Sequence, residues 1–288
     1  MPELPEVETI KSGLQTLLKG KVIESLSFDW PKSYPNSLAD TKQFLYGAKI
    51  VKVRRRAKVL IIDLSSDYSL VIHLKMTGQL VYKDHKVRYG GGHPNESLIS
   101  KLPDKSTRVI ITFKDTSQLF FNDQRKFGWM KLMPTSMIEN LDFFKKLGPE
   151  PLEKDFSAEV LKKRLKRRPN SSVKAALLDQ SVIAGVGNIY ADETLWGAKV
   201  KPARLVKDIK NGEFTKLYHA LVDVLRLSIK LGGSTDRNYL SAEGKKGSYL
   251  AFASVFRKED QACPRCGHTI LKTRVASRGT HYCPHCQK

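Results

Sequence analysis

No cysteine occurs before residue 263, so the body of the chain has no disulfide framework to lean on. No apolar run approaches the length of a membrane span. The first twenty residues mix acidic, basic and apolar groups and so lack the apolar stretch of a signal peptide. Internal repeats and low-complexity tracts are absent. Acids are scarce, 29 against 50 basic residues, which leaves a formal net charge of +21. These absences read as a soluble cytoplasmic protein whose stability must come from a packed core. The 288 residues, 41% of them hydrophobic, suffice for one large or two medium domains. The positive excess calls for a polyanionic partner, with nucleic acid ahead of a membrane surface.

The chain opens MPELPEVETI and places Glu3, Glu6 and Glu8 within the first eight residues. Pro5, Glu6 and Glu8 fit a helix start, and Val7, Ile10, Leu14, Leu17 and Leu18 follow at helical spacing. Pro2 and Glu3 are left unexplained by that helix. The stretches KVIESLSF, AKIVKVRR, KVLIIDL, YSLVIHLKM, TRVIITF and SQLFF then read as antiparallel strands of a sandwich or barrel. VRYGGGHPNESLISKLPDKS interrupts them and reads as a long mobile loop. In VIHLKM, strand alternation groups Ile72, Leu74 and Met76 on one face and His73 with Lys75 on the other.

From about residue 136 the period becomes helical. The pattern divides the chain into a sandwich at 1–135, a linker at 136–156, a helical domain at 157–252 and a metal module at 253–288. Leu161 and Leu165 share one helix face, and Phe214, Leu217, Leu221, Leu225 and Ser228 another. In QSVIAGVGNIYADETLWGAK two helices meet through a turn at Gly185 and Gly187, with Asn188 placed to cap the second. This reads either as an ordinary capped helix or as a phosphate-binding turn, and the net charge favours the latter.

Cys263, Cys266, Cys283 and Cys286 form two C-x2-C knuckles, the zinc-ribbon spacing. Four thiolates leave no open position, so one structural Zn2+ is expected. His268, His281 and His285 could substitute as ligands. The hairpin is expected around SRG, with Arg274 and Arg278 available to DNA.

Removal of Met1 would leave Pro2 with a secondary α-amine, whose pKa of about 8 allows a neutral nucleophile near physiological pH. A secondary amine that attacks a sugar C1′ gives an iminium ion, which acts as an electron sink for strand cleavage. Glu3 stands next to it as a proton shuttle.

MPELPEVET resembles the start of the bacterial formamidopyrimidine-DNA glycosylases. RRRAKVLI, HLKMTGQL, NDQRKFG, LGPEP, AGVGNIYADETLW, KLGGST and RGTHYCPHCQK have counterparts in the same order along essentially the whole chain. The resemblance implies an α+β fold: an antiparallel β-sandwich with an N-terminal helix, then a helical helix-two-turn-helix domain with a zinc-ribbon hairpin, in a monomer that grips damaged double-stranded DNA between its domains. It implies a glycosylase and lyase that excises oxidised purines in base excision repair without an organic cofactor. Pro2 would be the nucleophile, Glu3 the general acid/base, Glu6 a supporting carboxylate and Lys58 the essential turn lysine. Lys58, His73, Asn188 and Arg278 would grip phosphates around the extruded nucleotide. Met76, Arg125 and Phe127 would fill its place, with Arg125 paired to the orphaned cytosine. Lys245 and Ser248, in SAEGKKGSY, would belong to a loop over the damaged base.

Two departures stand out: the insertion around residues 86–103 is longer than the family's usual connection, and PDKSTRVII lacks the histidines often found before that strand. An endonuclease VIII type enzyme for oxidised pyrimidines is disfavoured by Leu4 and QRKFG. A catalytically silent zinc-ribbon DNA-binding protein would share the charge, ribbon and helical turn but has no use for Pro2, Glu3 and Lys58 together. An RNA-associated ribbon protein would be expected to show more stacking platforms.

Overall fold

The computed structural model describes residues 1–234 and 249–288, in two compact units. One holds Met1–Lys145 together with the segment that begins at Leu231; the other holds Lys146–Lys230 and Tyr249–Lys288.

The first unit starts with α1 (Leu4–Leu18), in which Leu4, Val7, Ile10, Leu14 and Leu18 are fully buried. Each such side chain contributes roughly 1.5–3 kcal/mol of apolar burial. Their spacing dictates a single inward stripe, which packs onto two antiparallel sheets. One sheet is ordered β1 (Ile23–Phe28), β7 (Thr107–Phe113), β8 (Gln118–Asp123), β5 (Gly78–Lys83) and β6 (Arg88–Gly92). The other is ordered β2 (Ile50–Arg56), β3 (Val59–Leu64), β4 (Tyr68–His73) and β9 (Trp129–Pro134). A helical turn, α2 (Leu38–Asp40), runs into π-helical Thr41–Leu45 between β1 and β2. A shared core of Val53, Leu60, Ile72, Leu80, Ile111, Phe121 and Met130 joins the sheets, so the architecture is the expected sandwich with an N-terminal helix.

Two segments depart from the sequence pattern. The stretch read as a mobile loop contributes β6, whose Gly90, Gly91 and Gly92 pair with Val81, Leu80 and Gln79. Glycine depresses strand propensity, which hides such a strand from the sequence. YSLVIHLKM is a strand only as far as His73. Lys75 has a φ of +50° in the turn that follows, and Met76 is exposed while Leu74 is buried. Met76 therefore shares no strand face with Ile72 and Leu74.

After a 3-10 segment at Thr135–Asn140 comes α3 (Asp142–Lys145). The second unit contains α4 (Ala158–Leu165), α5 (Val173–Leu178), α6 (Asn188–Ala198), α7 (Asn211–Lys230), α8 (Tyr249–Phe252) and the hairpin β10 (Leu271–Val275) with β11 (Arg278–Tyr282). Phe214, Leu217, Leu221, Leu225 and Ser228 are buried along α7, as their spacing requires. The hairpin turn is Ala276–Ser277 rather than SRG, and both residues have left-handed φ of +49° and +60°. Among the described residues, no helix is long and apolar enough to cross a membrane.

Candidate functional site

At the start of the first unit, Pro2, Glu3 and Glu6 are all buried. Glu3 is the N-cap of α1, and its N–H donates to Glu6 Oε2 at 2.8 Å, the returning half of a capping box. Glu6 Oε1 accepts the N–H of Ser234 at 2.8 Å. Gly233 lies alongside with φ +87°, and a Cβ there would stand 3.2 Å from Glu6 Oε1. One carboxylate thus ties the beginning of the chain to the KLGGST motif.

Lys58 and His73 are brought together by the sheet. Lys58 sits with Ala57 in the two-residue turn between β2 and β3, where Ala57 has a φ of +53°. The next residue, Val59, pairs directly with His73. Both residues are 6% exposed. His73 Nδ1 accepts the Lys75 N–H at 3.0 Å, so the neutral ring carries its proton on Nε2 and presents a donor. Burial, followed by the positive charges of Lys75 and Lys58, pushes the His73 pKa down to about 3. A neutral donor beside a lysine suits a phosphate oxygen.

The three residues expected to fill the place of an extruded nucleotide lie in two adjacent turns. Arg125 and Phe127 occupy the turn between β8 and β9; both are exposed, and the Arg125 guanidinium stacks 4.8 Å from the Phe127 ring centre. They project together because of that turn, not through strand alternation. Asp123, fully buried at the end of β8, organises the region. Its Oδ2 accepts the N–H groups of Phe127 at 2.8 Å and Gly128 at 2.6 Å, and its Oδ1 accepts from Arg125 N at 3.2 Å and from the Thr77 hydroxyl. Thr77 follows Met76, so one carboxylate holds both turns. Sequence reasoning passed over Asp123; its signal was an Asp just before a polar, glycine-ended turn.

In the second unit the N-cap of α6 is Gly187, and Asn188 is the first helical residue. This corrects the capping role expected of Asn188. Its Nδ2 instead donates to Gly279 O at 3.0 Å on the zinc hairpin. Gly279 O also accepts from Lys174 Nζ at 2.9 Å, and Lys174 Nζ bonds the Thr280 hydroxyl at 2.7 Å and Asp192 Oδ1 at 2.6 Å. Lys174 and Asp192 are both inaccessible to solvent. The other Asp192 oxygen accepts the His281 N–H at 2.9 Å. His281 is therefore committed to this buried network. Arg278 opens β11 exposed, beside the carbonyl that Asn188 and Lys174 grip. A second buried acid, Glu193, accepts the N–H groups of Ser254, Val255 and Phe256 at 2.8–2.9 Å and fixes the entry to the zinc module.

The four cysteine sulfurs lie within 4.8 Å of one another, with Sγ–Sγ distances of 3.5 Å for Cys266–Cys283 and 3.9 Å for Cys263–Cys286. A tetrahedral ion with Zn–S bonds of about 2.3 Å requires sulfur separations of about 3.8 Å. Burial would raise the Cys263 thiol, but N–H donors led by Trp196 bring it down to about 6, while burial and the neighbouring sulfurs push Cys286 up to about 12. The cluster holds several thiolates together only around a cation, and one structural Zn2+ fits it. Lys245 and Ser248 lie outside the described residues.

The chain matches three family models: the formamidopyrimidine-DNA glycosylase N-terminal domain over residues 1–130, its H2TH domain over 147–239, and a zinc finger found in FPG and IleRS over 260–288. It is 42% identical over 289 residues to the formamidopyrimidine-DNA glycosylase of Pelotomaculum thermopropionicum, covering 100% of this chain and 99% of the relative. It is 39% identical to that of Enterococcus faecalis, covering 100% and 98%. Among solved structures it resembles wild-type Lactococcus lactis Fpg in complex with an N7-benzyl-Fapy-dG containing DNA (33% identity, TM-score 0.87, 100% of both chains). It also resembles Lactococcus lactis Fpg with an abasic site containing DNA (33%, 0.86, 99% of both chains).

Proposed function

Because the chain belongs to the formamidopyrimidine-DNA glycosylase family, we propose that it is a DNA-repair glycosylase that removes oxidised purines from duplex DNA and cleaves the strand through a Schiff base on Pro2. The observation that carries this reading is the buried chain start, where Pro2 and Glu3 precede α1 and Glu6 fixes Glu3 through its N–H.

With Met1 removed, the neutral Pro2 amine attacks C1′ as the C1′–N bond to the base breaks, and the departing base takes a proton. Glu3 protonates the ring oxygen O4′ as the sugar opens, which leaves an iminium between Pro2 and C1′. Loss of a C2′ proton then expels the 3′ phosphate. A second elimination expels the 5′ phosphate, and water releases Pro2 from the sugar fragment. The iminium is the electron sink, so the steps need no organic cofactor.

Extruding the base costs a few kcal/mol. Met76, Arg125 and Phe127 offset that cost, Arg125 by pairing with the orphaned cytosine. Lys58 and His73 in the first unit, with Asn188 and Arg278 in the second, hold the phosphates, and one Zn2+ on the four cysteines stiffens the hairpin that carries Arg278. In this scheme residues 1–135 are catalytic, 136–156 link, 157–252 bind DNA and 253–288 form the finger.

Borohydride trapping on duplex DNA with 8-oxoguanine opposite cytosine tests the reading. A covalent adduct located at Pro2 by mass spectrometry, lost when Met1 is retained, is expected. Zinc-loaded protein that binds the duplex yet gives no adduct, on it or on an abasic duplex, would instead be a silent DNA-binding protein.

A further inference from the structure

The segment at residues 86–103, expected to be longer than the family's usual connection, carries a histidine towards the chain start. Gly92 ends β6 with φ +130°, where a Cβ would stand 2.3 Å from Gly78 O and 2.7 Å from Gln79 Cα, so only glycine permits this approach of β6 to β5. The next residue is His93, whose N–H donates to Gly78 O at 3.1 Å. Gly78 pairs on its other side with Asp123. His93, Gly78 and Asp123 therefore form one row across the sheet. The fully buried Gln79 amide locks the loop by donating to His93 O and to Asn95 Oδ1. Ser97 Oγ, 3.0 Å from Ser106 Oγ, pins the rest of the insertion to the start of β7.

Helix α1 covers the same strand. Tyr89 donates its hydroxyl to Thr9 O at 2.9 Å and packs where any Gly13 side chain would stand. β6 is thereby held against α1, the helix that begins at the chain start. His93 is half-buried there, within the electrostatic reach of both the chain's amino terminus and the Asp123 carboxylate. Burial first, then the terminal ammonium, holds its pKa below the ordinary histidine value, against the pull of Asp123.

We propose that His93 is a substrate-contacting residue of this site, a neutral imidazole that offers one donor and one acceptor to the base of the nucleotide attacked by Pro2. The inference rests on the glycosylase reading above. A neutral ring has a donor on one nitrogen and an acceptor on the other, which matches a base edge, where donors and acceptors are mixed. The insertion thus adds a means of discriminating between damaged bases.

The test compares wild type, His93→Ala and His93→Gln in single-turnover excision of 8-oxoguanine and of a methylated formamidopyrimidine, each opposite cytosine. Borohydride trapping on a preformed abasic duplex, which has no base to read, runs beside it. His93→Ala should slow base release about tenfold, the loss of one hydrogen bond to the base, and should alter the ratio between the two lesions. Trapping on the abasic duplex should stay unchanged, and His93→Gln, with its own donor and acceptor, should restore part of the rate. Unchanged excision, or excision and abasic trapping falling together, overturns the role of His93. Absence of trapping by wild type overturns the glycosylase reading itself, and the role of His93 with it.

Discussion

The Arg125 guanidinium lies 4.8 Å from the centre of the Phe127 ring, and the N–H groups of both residues end on Asp123. The exposed pair is held by a side chain that never reaches solvent. Asp123→Ala would strand the N–H groups of Phe127 and Gly128, leave that of Arg125 with only the Thr77 hydroxyl, and free the Met76–Thr77 turn. Excision should fall by about 100-fold, the scale of a misplaced positioning group. The effect should be smallest when the lesion pair is already weakened. A fluorescent base analogue opposite the lesion reports the loss of insertion directly, and unchanged fluorescence in the variant would exclude this role.

His73 gives unit one a dependence on pH. Its folded-state pKa of about 3 lies below the ordinary value of 6.5, so the unfolded chain binds the extra proton first. The stability due to neutral His73 is present above pH 6.5 and is lost as pH falls towards 3, by up to about 1.4 kcal/mol per pH unit. Urea unfolding of wild type and His73→Gln between pH 7.5 and 4.5 should show the wild type losing its advantage on acidification. Parallel profiles would contradict the assignment.

Zinc removal should act on the second unit. Chelation or Cys286→Ser should release one Zn2+ per chain, disorder the β10–β11 hairpin and weaken DNA binding at least about tenfold, since Arg278 loses its platform. Elemental analysis with fluorescence anisotropy measures both quantities. Full DNA affinity without metal would show that the hairpin folds unaided.

Lys174→Met should cost about 3–5 kcal/mol, because it leaves Asp192 charged and uncompensated. Adding Asp192→Asn should return part of that loss. Denaturant titrations of the two single variants and the double variant give the coupling, and additive losses would mean that the pair does not act as a unit.

Much of this molecule is legible in its residues. Val7, Ile10, Leu14 and Leu18 announce α1, and the two C-x2-C knuckles announce the metal module. Pro2, Glu3 and Lys58 are legible only as a family pattern, since a proline, an acid and a turn lysine have ordinary uses. Other features are hidden for physical reasons. The β6 strand is glycine-rich and is defined by its neighbour β5, so its own sequence carries no alternation. Asp123, Lys174 and Asp192 look like surface charges until partners far along the chain enclose them. The helix at Asn188 starts one residue earlier than a side-chain cap would require, because Gly187 takes the extended N-cap conformation itself.

The bond from Ser234 to Glu6 joins residues 228 positions apart. During synthesis at about 5–20 residues per second, the first residues wait on the order of 10–50 s for that partner to be made. The helix can form early, yet the anchor beneath its first turn is among the last contacts available to the growing chain. A nascent chain that has completed its sandwich strands still lacks this tie to Glu6, so the start of α1 reaches its full set of contacts only when most of the protein exists.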